Sequence, residues 1–158
     1  MTEQQIDLWT AGEQADALCL TTNGTITPSG KGVMGKGNAL EATLRYNRPR
    51  RKGEPEFNLQ RKLGMYLSTR GNHVGVLLPP PPFTLVVFPV KHHWSEAADL
   101  RLIRQSCAEL VTLTDRHGWK QVVLPRPGCG NGGLGWASDG VSGICREYLD
   151  DRFLVVHK

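Results

Sequence analysis

The sequence predicts an α/β fold: a three-layer α/β/α sandwich around a central mixed or parallel sheet. Short apolar runs of strand length alternate with helical stretches from one end of the chain to the other. Several of these runs are bounded by polar or glycine-containing segments, as suits strands buried between two layers of helices. Two glycine-rich turns follow apolar runs, which places them at the carboxyl ends of strands, where sheets of this class bind their ligands. At 158 residues and 39% apolar, the chain can bury one complete core and is too short for two domains of ordinary size, so residues 1–158 are expected to form a single domain.

Taken in order, Gln4 to Trp9 and Ala17 to Thr21 read as the first two strands. In the stretch TTNGTITPSGKGVMGKGNALEATL, the Pro/Gly/Ser-rich part excludes a helix and the tail from Asn38 to Leu44 permits one. A second helix is expected from about Glu56 to Thr69, where Leu59, Leu63, Tyr66 and Leu67 repeat at the spacing of one buried face. Val74 to Leu78 and Phe83 to Pro89 read as strands. Pro79 to Pro82 between them form a stiff turn outside the ladder, since proline donates no backbone hydrogen bond. Ser95 can cap the next helix, along one side of which lie Leu100, Ile103, Cys107, Leu110, Val111 and Thr114, and Gly118 ends it. Gln121 to Pro125 is a short strand feeding the second glycine-rich turn. Ser138 can cap a helix running to about Leu149, and Phe153 to His157 closes the chain as a strand.

Composition removes several classes of function. No apolar run approaches the roughly 18 residues of a membrane span, and MTEQQIDLW lacks the layout of a secretory signal. A soluble, cytoplasmic monomer is expected. Cys19, Cys107, Cys129 and Cys145 are far apart, with no Cys-x-x-Cys pair and no histidine at finger spacing, so they read as reduced thiols. No motif calls for a metal or a cofactor. The net charge of +4 is modest, yet five of the nineteen basic residues, Arg45, Arg48, Arg50, Arg51 and Lys52, fall within eight positions. That cluster fits either a solvated loop and helix end or a surface that attracts phosphate-rich partners such as nucleic acid.

The glycine-rich turns carry the chemistry. Backbone N–H groups bind a phosphate oxygen only where the chain can approach closely, and glycine permits that approach. The first turn, Gly30 to Gly37, runs into a helix whose amino-terminal dipole also favours anions. The second, Gly128 to Gly133, reads as having the same two properties. Together they point to a diphosphate ligand. Neither fits G-x-x-x-x-G-K-[ST], and no G-x-G-x-x-G lies between the first strand and the first helix with an acidic residue at the right distance, so kinase-like and dehydrogenase-like readings are poor.

Asp7, the strand ALCLTTNG with Asn23, the turn GVMGKGNALEA, the segment FPVKHHW and the turn LPRPGCGNGGLGW occur in the order and spacing of the macro domains. Over nearly its whole length the chain resembles the macro-domain branch that contains the DNA ADP-ribosyl glycohydrolase antitoxins. Less closely, it resembles the terminal ADP-ribose protein glycohydrolases. The resemblance implies that Asp7 accepts a hydrogen bond from the adenine amino group, although on the residues alone it reads equally as a surface or cap residue. It implies that Asn23 contacts the distal ribose, where the bare sequence also offers a turn asparagine before Gly24. Gly32, Val33, Met34 and Gly35 would line one side of the diphosphate and distal ribose, and Gly128, Cys129, Gly130, Asn131 and Gly132 the other. Cys129 is then a small residue in a tight loop, not a nucleophile.

Lys91 is the candidate catalytic residue. It follows the apolar strand FTLVVFPV, so its amine should emerge at the sheet end that carries both turns. In the family the equivalent lysine removes ADP-ribose, its amine attacking the anomeric carbon of the distal ribose or polarising the leaving group. His93 and Trp94 match a family His-Trp pair and either pack the loop or line the site. His92 reads as exposed, and Trp136 as packing beneath the second turn. The chain departs from the terminal protein glycohydrolases at Gly132, where those proteins carry an aspartate that resolves the lysine adduct. The implied function is hydrolysis of ADP-ribosyl modifications, from protein Glu/Asp esters or from DNA bases. The alternatives are a non-catalytic ADP-ribose reader and a hydrolase of small esters such as ADP-ribose 1''-phosphate.

Overall fold

A computed structural model describes residues 1–158. In chain order the elements are β1 (Thr2–Gln5), α1 (Leu8–Gly12), β2 (Ala17–Asn23), α2 (Gly37–Tyr46), α3 (Leu59–Arg70), β3 (Gly75–Leu78), β4 (Thr84–Lys91), α4 (Leu100–His117), β5 (Val122–Pro125), α5 (Val141–Tyr148) and β6 (Phe153–His157). The six strands form one sheet in the order β1-β6-β5-β2-β4-β3. All neighbours are parallel except the edge strand β3, which runs antiparallel to β4. The expected mixed sheet between helical layers is therefore present.

Successive side chains of the central strands divide two cores between them. Ala17, Cys19, Val86 and Phe88 join the core closed by α4 and α5. Leu18, Leu20, Leu85 and Val87 join the one closed by α1, α2 and α3. Burial on both faces explains why β2 and β4 are continuous apolar runs in the sequence. Of the four cysteines, Cys19, Cys107 and Cys145 are buried and none is in a disulfide. No helix is long and apolar enough to cross a membrane.

Four boundaries differ from the expectation, and local capping decides each. Leu8 and Trp9 belong to α1 and not to the first strand, because the Asp7 carboxylate accepts hydrogen bonds from the backbone N–H of Trp9 and Thr10 at 3.0 and 3.1 Å and turns the chain. Helix α3 starts at Leu59 and not near Glu56. Asn58 caps it through Arg61 N at 2.8 Å, while the preceding residues form a small hairpin with bridges Arg48–Phe57 and Arg51–Glu54. Asp99, not Ser95, caps α4, accepting from Arg101 N at 2.8 Å; the Ser95 hydroxyl instead meets His93 Nδ1 at 2.7 Å. Helix α5 begins at Val141 with Gly140 at its N-cap, so Ser138 does not cap it. Gly118 ends α4 in the left-handed conformation, as expected.

Because five strands are parallel, their carboxyl ends share one edge of the sheet. The segments leaving β2, β4 and β5 meet there.

Candidate functional site

A cleft of about 750 Å³ lies across that edge. Its floor is Thr21, Thr22 and Asn23 of β2, Val90 and Lys91 of β4, and Pro125 of β5. One wall is the first glycine loop and the start of α2, from Val33 to Ala39; a second is the other glycine loop, Gly128 and Gly130 to Gly133. Trp94 to Ala97, on the segment leaving β4, complete the rim. The volume suits a nucleotide-sized ligand.

Two side chains tie the floor to the two loops. Asn23 and Lys91 are neighbours across β2 and β4, just past a shift in register. The Asn23 amide donates to Val33 O at 3.1 Å and its Oδ1 accepts from Thr25 N at 3.0 Å, holding the first loop. Lys91 Nζ donates to Asn131 O at 3.1 Å, reaching the second. Asn38 anchors α2 by accepting from Thr21 N at 3.0 Å and donating to Thr21 Oγ1 at 2.8 Å. No side chain caps α2, so the orphan N–H groups of its first turn face the cleft with their partial positive charge uncompensated.

The glycines separate into two kinds. A Cβ built at Gly35 or Gly130 meets nothing within 4 Å, so at these positions bare backbone borders open cleft. A Cβ at Gly132 would lie 2.5 Å from Gly128 O and 2.8 Å from Ala98 Cβ, so position 132 admits no side chain. The aspartate of the terminal protein glycohydrolases has no room there.

Three of the expected residues fall outside the cleft lining. Gly32 packs against α3, its N–H donating to Gln60 O at 2.7 Å and its α-carbon facing the Leu63 side chain. The Cys129 thiol donates to Pro127 O at 3.4 Å, and burial pushes its pKa up to about 11, so it stays protonated, consistent with no nucleophilic role. Asp7 lies at the same sheet edge beyond β1, with one carboxylate oxygen taken up by the cap of α1. Val33, Met34, Gly35, Gly128, Gly130, Asn131, Gly132, Asn23 and Lys91 do come together. The second loop also lacks the expected helix end, since residues 134–140 separate it from α5. Only α2 contributes a helix amino terminus.

Trp94 lines the rim and is 55% exposed, its N–H donating to Thr25 Oγ1 at 3.0 Å and its ring 5.8 Å from that of His93. His92 is exposed and pairs with Asp99 at 2.7 Å. Trp136 packs against the core beneath the second loop. Sequence reasoning gives no role to Lys36, Glu96 and Arg126, which also line the cleft. Arg126 is visible inside LPRPGCG; it is oriented by Glu3 at 3.3 Å and by the Trp136 ring at 5.0 Å. Glu96 is hidden because HHWSEAAD reads as the start of a helix.

Arg45, on α2, lies over the Trp9 ring at 4.5 Å. Arg48, Arg50, Arg51 and Lys52 are exposed on the hairpin. A second hollow of about 600 Å³ is lined by Arg50 to Glu56 alone, with no apolar residue, and is the open concavity of that hairpin. The hairpin stands beside the first loop: Asn47 at its foot bonds to Leu59 N and Gln60, and Gln60 O holds Gly32. No three His, Cys, Asp or Glu gather where they could hold a metal ion.

No family model matches the chain. A DNA ADP-ribosyl transferase-DNA ADP-ribosyl glycohydrolase fusion protein of Thermosipho africanus is 29% identical over 128 residues, covering 72% of this chain and 32% of that protein. A DNA ADP-ribosyl glycohydrolase of Mycobacterium tuberculosis is 30% identical over 112 residues, covering 66% of this chain and 29% of that protein. The chain thus spans about a third of the length of the curated relatives it matches. Among solved structures, the macrodomain of Thermus aquaticus DarG matches with a TM-score of 0.72 at 24% identity, over 99% of this chain and 97% of that one. Thermosipho africanus DarTG in complex with ADP-ribose matches with a TM-score of 0.65 at 18% identity, over 95% of this chain and 39% of that one. The likeness covers nearly the whole of this chain, which has the α/β fold of the DarG macrodomains.

Proposed function

We propose that this macro domain binds ADP-ribose in the cleft and hydrolyses it from modified DNA. The observation that carries the reading is Lys91, whose amine sits in the cleft at hydrogen-bonding distance from the second glycine loop. The diphosphate lies between the open backbone at Gly35 and that at Gly130, with the first turn of α2 beside it. The distal ribose then falls over Asn23 and Lys91. From there the Lys91 amine stabilises charge on the departing group or attacks C1''. Adduct resolution by an aspartate at position 132 is sterically closed.

Three observations favour DNA over a protein ester as the target. The relatives are named for DNA ADP-ribosyl glycohydrolase activity. The exposed Trp94 offers a face on which a base can stack, and the basic hairpin beside the first loop offers Arg48, Arg50, Arg51 and Lys52 to a phosphate backbone. The test compares release of ADP-ribose from modified single-stranded DNA, modified protein and ADP-ribose 1''-phosphate by one purified sample. Wild type is expected to act on DNA. Lys91→Ala is expected to lose about 100-fold or more in rate, with ADP-ribose affinity changed by no more than a few-fold. Gly132 favours a second reading, a cleft that holds ADP-ribose without turning it over. In that case wild type releases nothing from any substrate, while ADP-ribose still raises its Tm.

A further inference from the structure

We propose that Glu96 is the general base of the reaction, taking the proton of the water that attacks the distal ribose. This role rests on the hydrolase reading above. Glu96 is the one carboxylate among the cleft-lining residues, which also include the cations Lys36, Lys91 and Arg126. Other acids near this edge are already engaged. Asp99 is held by His92 and caps α4, Asp139 accepts from Gly135 N, and Glu3 pairs with Arg126 and Arg146. The Glu96 side chain makes no ion pair or hydrogen bond within the protein, so its oxygens are available to water and substrate.

A carboxylate repels a diphosphate, so Glu96 does not serve to hold the phosphates of ADP-ribose. Its placement is nevertheless well constrained. The segment from Lys91 to Asp99 is fixed on both sides of Glu96: Trp94 N to Thr25 Oγ1 at 3.0 Å, Glu96 N to His93 O at 3.1 Å, Ala98 N to Gly132 O at 3.0 Å and Asp99 N to Val90 O at 2.9 Å. The segment that starts at the candidate amine thus holds the acid at the cleft rim, two residues before Ala98, whose N–H bonds to the second loop. Ala98 also helps to exclude a side chain from position 132, so the segment that blocks an acid on the second loop supplies one of its own.

The step balances without a co-reactant. The water oxygen bonds to C1'' as one of its protons passes to the Glu96 carboxylate. The bond between C1'' and the base nitrogen breaks, and its electron pair leaves with the base, which takes a proton from the Lys91 ammonium. ADP-ribose and the unmodified base depart, and the proton on Glu96 returns to the Lys91 amine through solvent.

The test uses Glu96→Gln, Glu96→Asp and Lys91→Ala with ADP-ribosylated single-stranded DNA as substrate and calorimetric titration of ADP-ribose. Glu96→Gln is expected to lower kcat about 100-fold while ADP-ribose affinity stays the same or rises, because a negative charge is gone. Glu96→Asp should retain more activity than Glu96→Gln. A Glu96→Gln variant with wild-type kcat, or one whose loss of rate is matched by an equal loss of ADP-ribose affinity, overturns the role. If wild type turns over and only Lys91→Ala is inactive, Glu96 is dismissed and the hydrolase reading stands. If wild type binds ADP-ribose and releases nothing, the hydrolase reading fails and the general base falls with it.

Discussion

The two glycine-rich loops look alike in composition and are held by opposite means. The first, around Gly32 to Gly37, is fastened from outside. Gly32 is pinned to α3, Asn23 holds Val33 O, and the loop ends on the uncapped start of α2. The second is folded on itself, with Gly128 O accepting from Leu134 N at 2.9 Å and leaving no room for a Cβ at Gly132. In each loop one glycine is open to the cleft and another is required by packing. Glycine content alone therefore marks two different demands, ligand approach and loop closure, and substitutions separate them.

The largest expected effect is at Gly132. An added Cβ would press on the Gly128 carbonyl and on Ala98, backbone and a short side chain that cannot swing away. Gly132→Ala is expected to destabilise the fold by about 1–3 kcal/mol, read by chemical denaturation, and to abolish ADP-ribose binding with it. Gly32→Ala presses on the buried Leu63 side chain and not on backbone, and should cost less. A Gly132→Ala protein as stable as wild type would break the contrast between the loops.

Next come the open glycines. Gly35→Ala and Gly130→Ala place a methyl group where nothing lies within 4 Å, and both have ordinary backbone dihedrals. Stability should change by under about 0.5 kcal/mol. ADP-ribose affinity should fall about tenfold, equivalent to 1.4 kcal/mol, as the methyl group keeps phosphate from the backbone. Calorimetry on the two variants checks this. Unchanged affinity would mean that the diphosphate does not approach these N–H groups.

These differences mark what the sequence could and could not disclose. The buried strands β2 and β4 are legible because burial on both faces leaves a continuous apolar run. Lys91 is legible as the residue that ends one. The first strand is carried too far, to Trp9, and helix starts are misplaced at Glu56, Ser95 and Ser138, because the residues that end or cap these elements, Asp7, Asn58, Asp99 and Gly140, are selected only by the fold. The separate tasks of Gly32 and Gly132 are illegible because they are set by Leu63 and Ala98, which the chain brings across from about thirty residues away in each case. Glu96 escapes notice for a related reason: placing α4 too early makes a rim residue part of a helix.

A smaller effect is expected beside the first loop. Replacing Arg50, Arg51 and Lys52 by Ala should weaken binding of ADP-ribosylated single-stranded DNA by about three- to tenfold at low salt. It should also reduce the salt dependence by about 0.7 in log–log slope for each phosphate no longer neutralised. Free ADP-ribose should bind as before, because the hairpin lies outside the cleft lining. Equal weakening for both ligands would show instead that the hairpin supports the first loop through Asn47 and Gln60.

The smallest effect concerns the support of the second loop. The segment from Lys91 to Asp99, which braces Gly132 through Ala98, ends on the pair between His92 and Asp99. The hydrogen bond from His92, followed by those from the backbone at the start of α4, holds the Asp99 carboxyl below the usual carboxylate range. A carboxyl lowered in the folded state stabilises the protein above its unfolded pKa, near 3.9. That contribution is lost as pH falls through the lower folded value. Asp99→Asn keeps a competent cap and removes the titration. The wild-type advantage in Tm over Asp99→Asn is therefore expected to be present at pH 6, to shrink below about pH 4, and to amount to no more than a few degrees because the pair is partly exposed. An advantage that persists undiminished into strong acid would remove the pair between His92 and Asp99 from the anchoring of the second loop and leave that loop to the hydrogen bonds from Lys91 and Ala98 and to those within it.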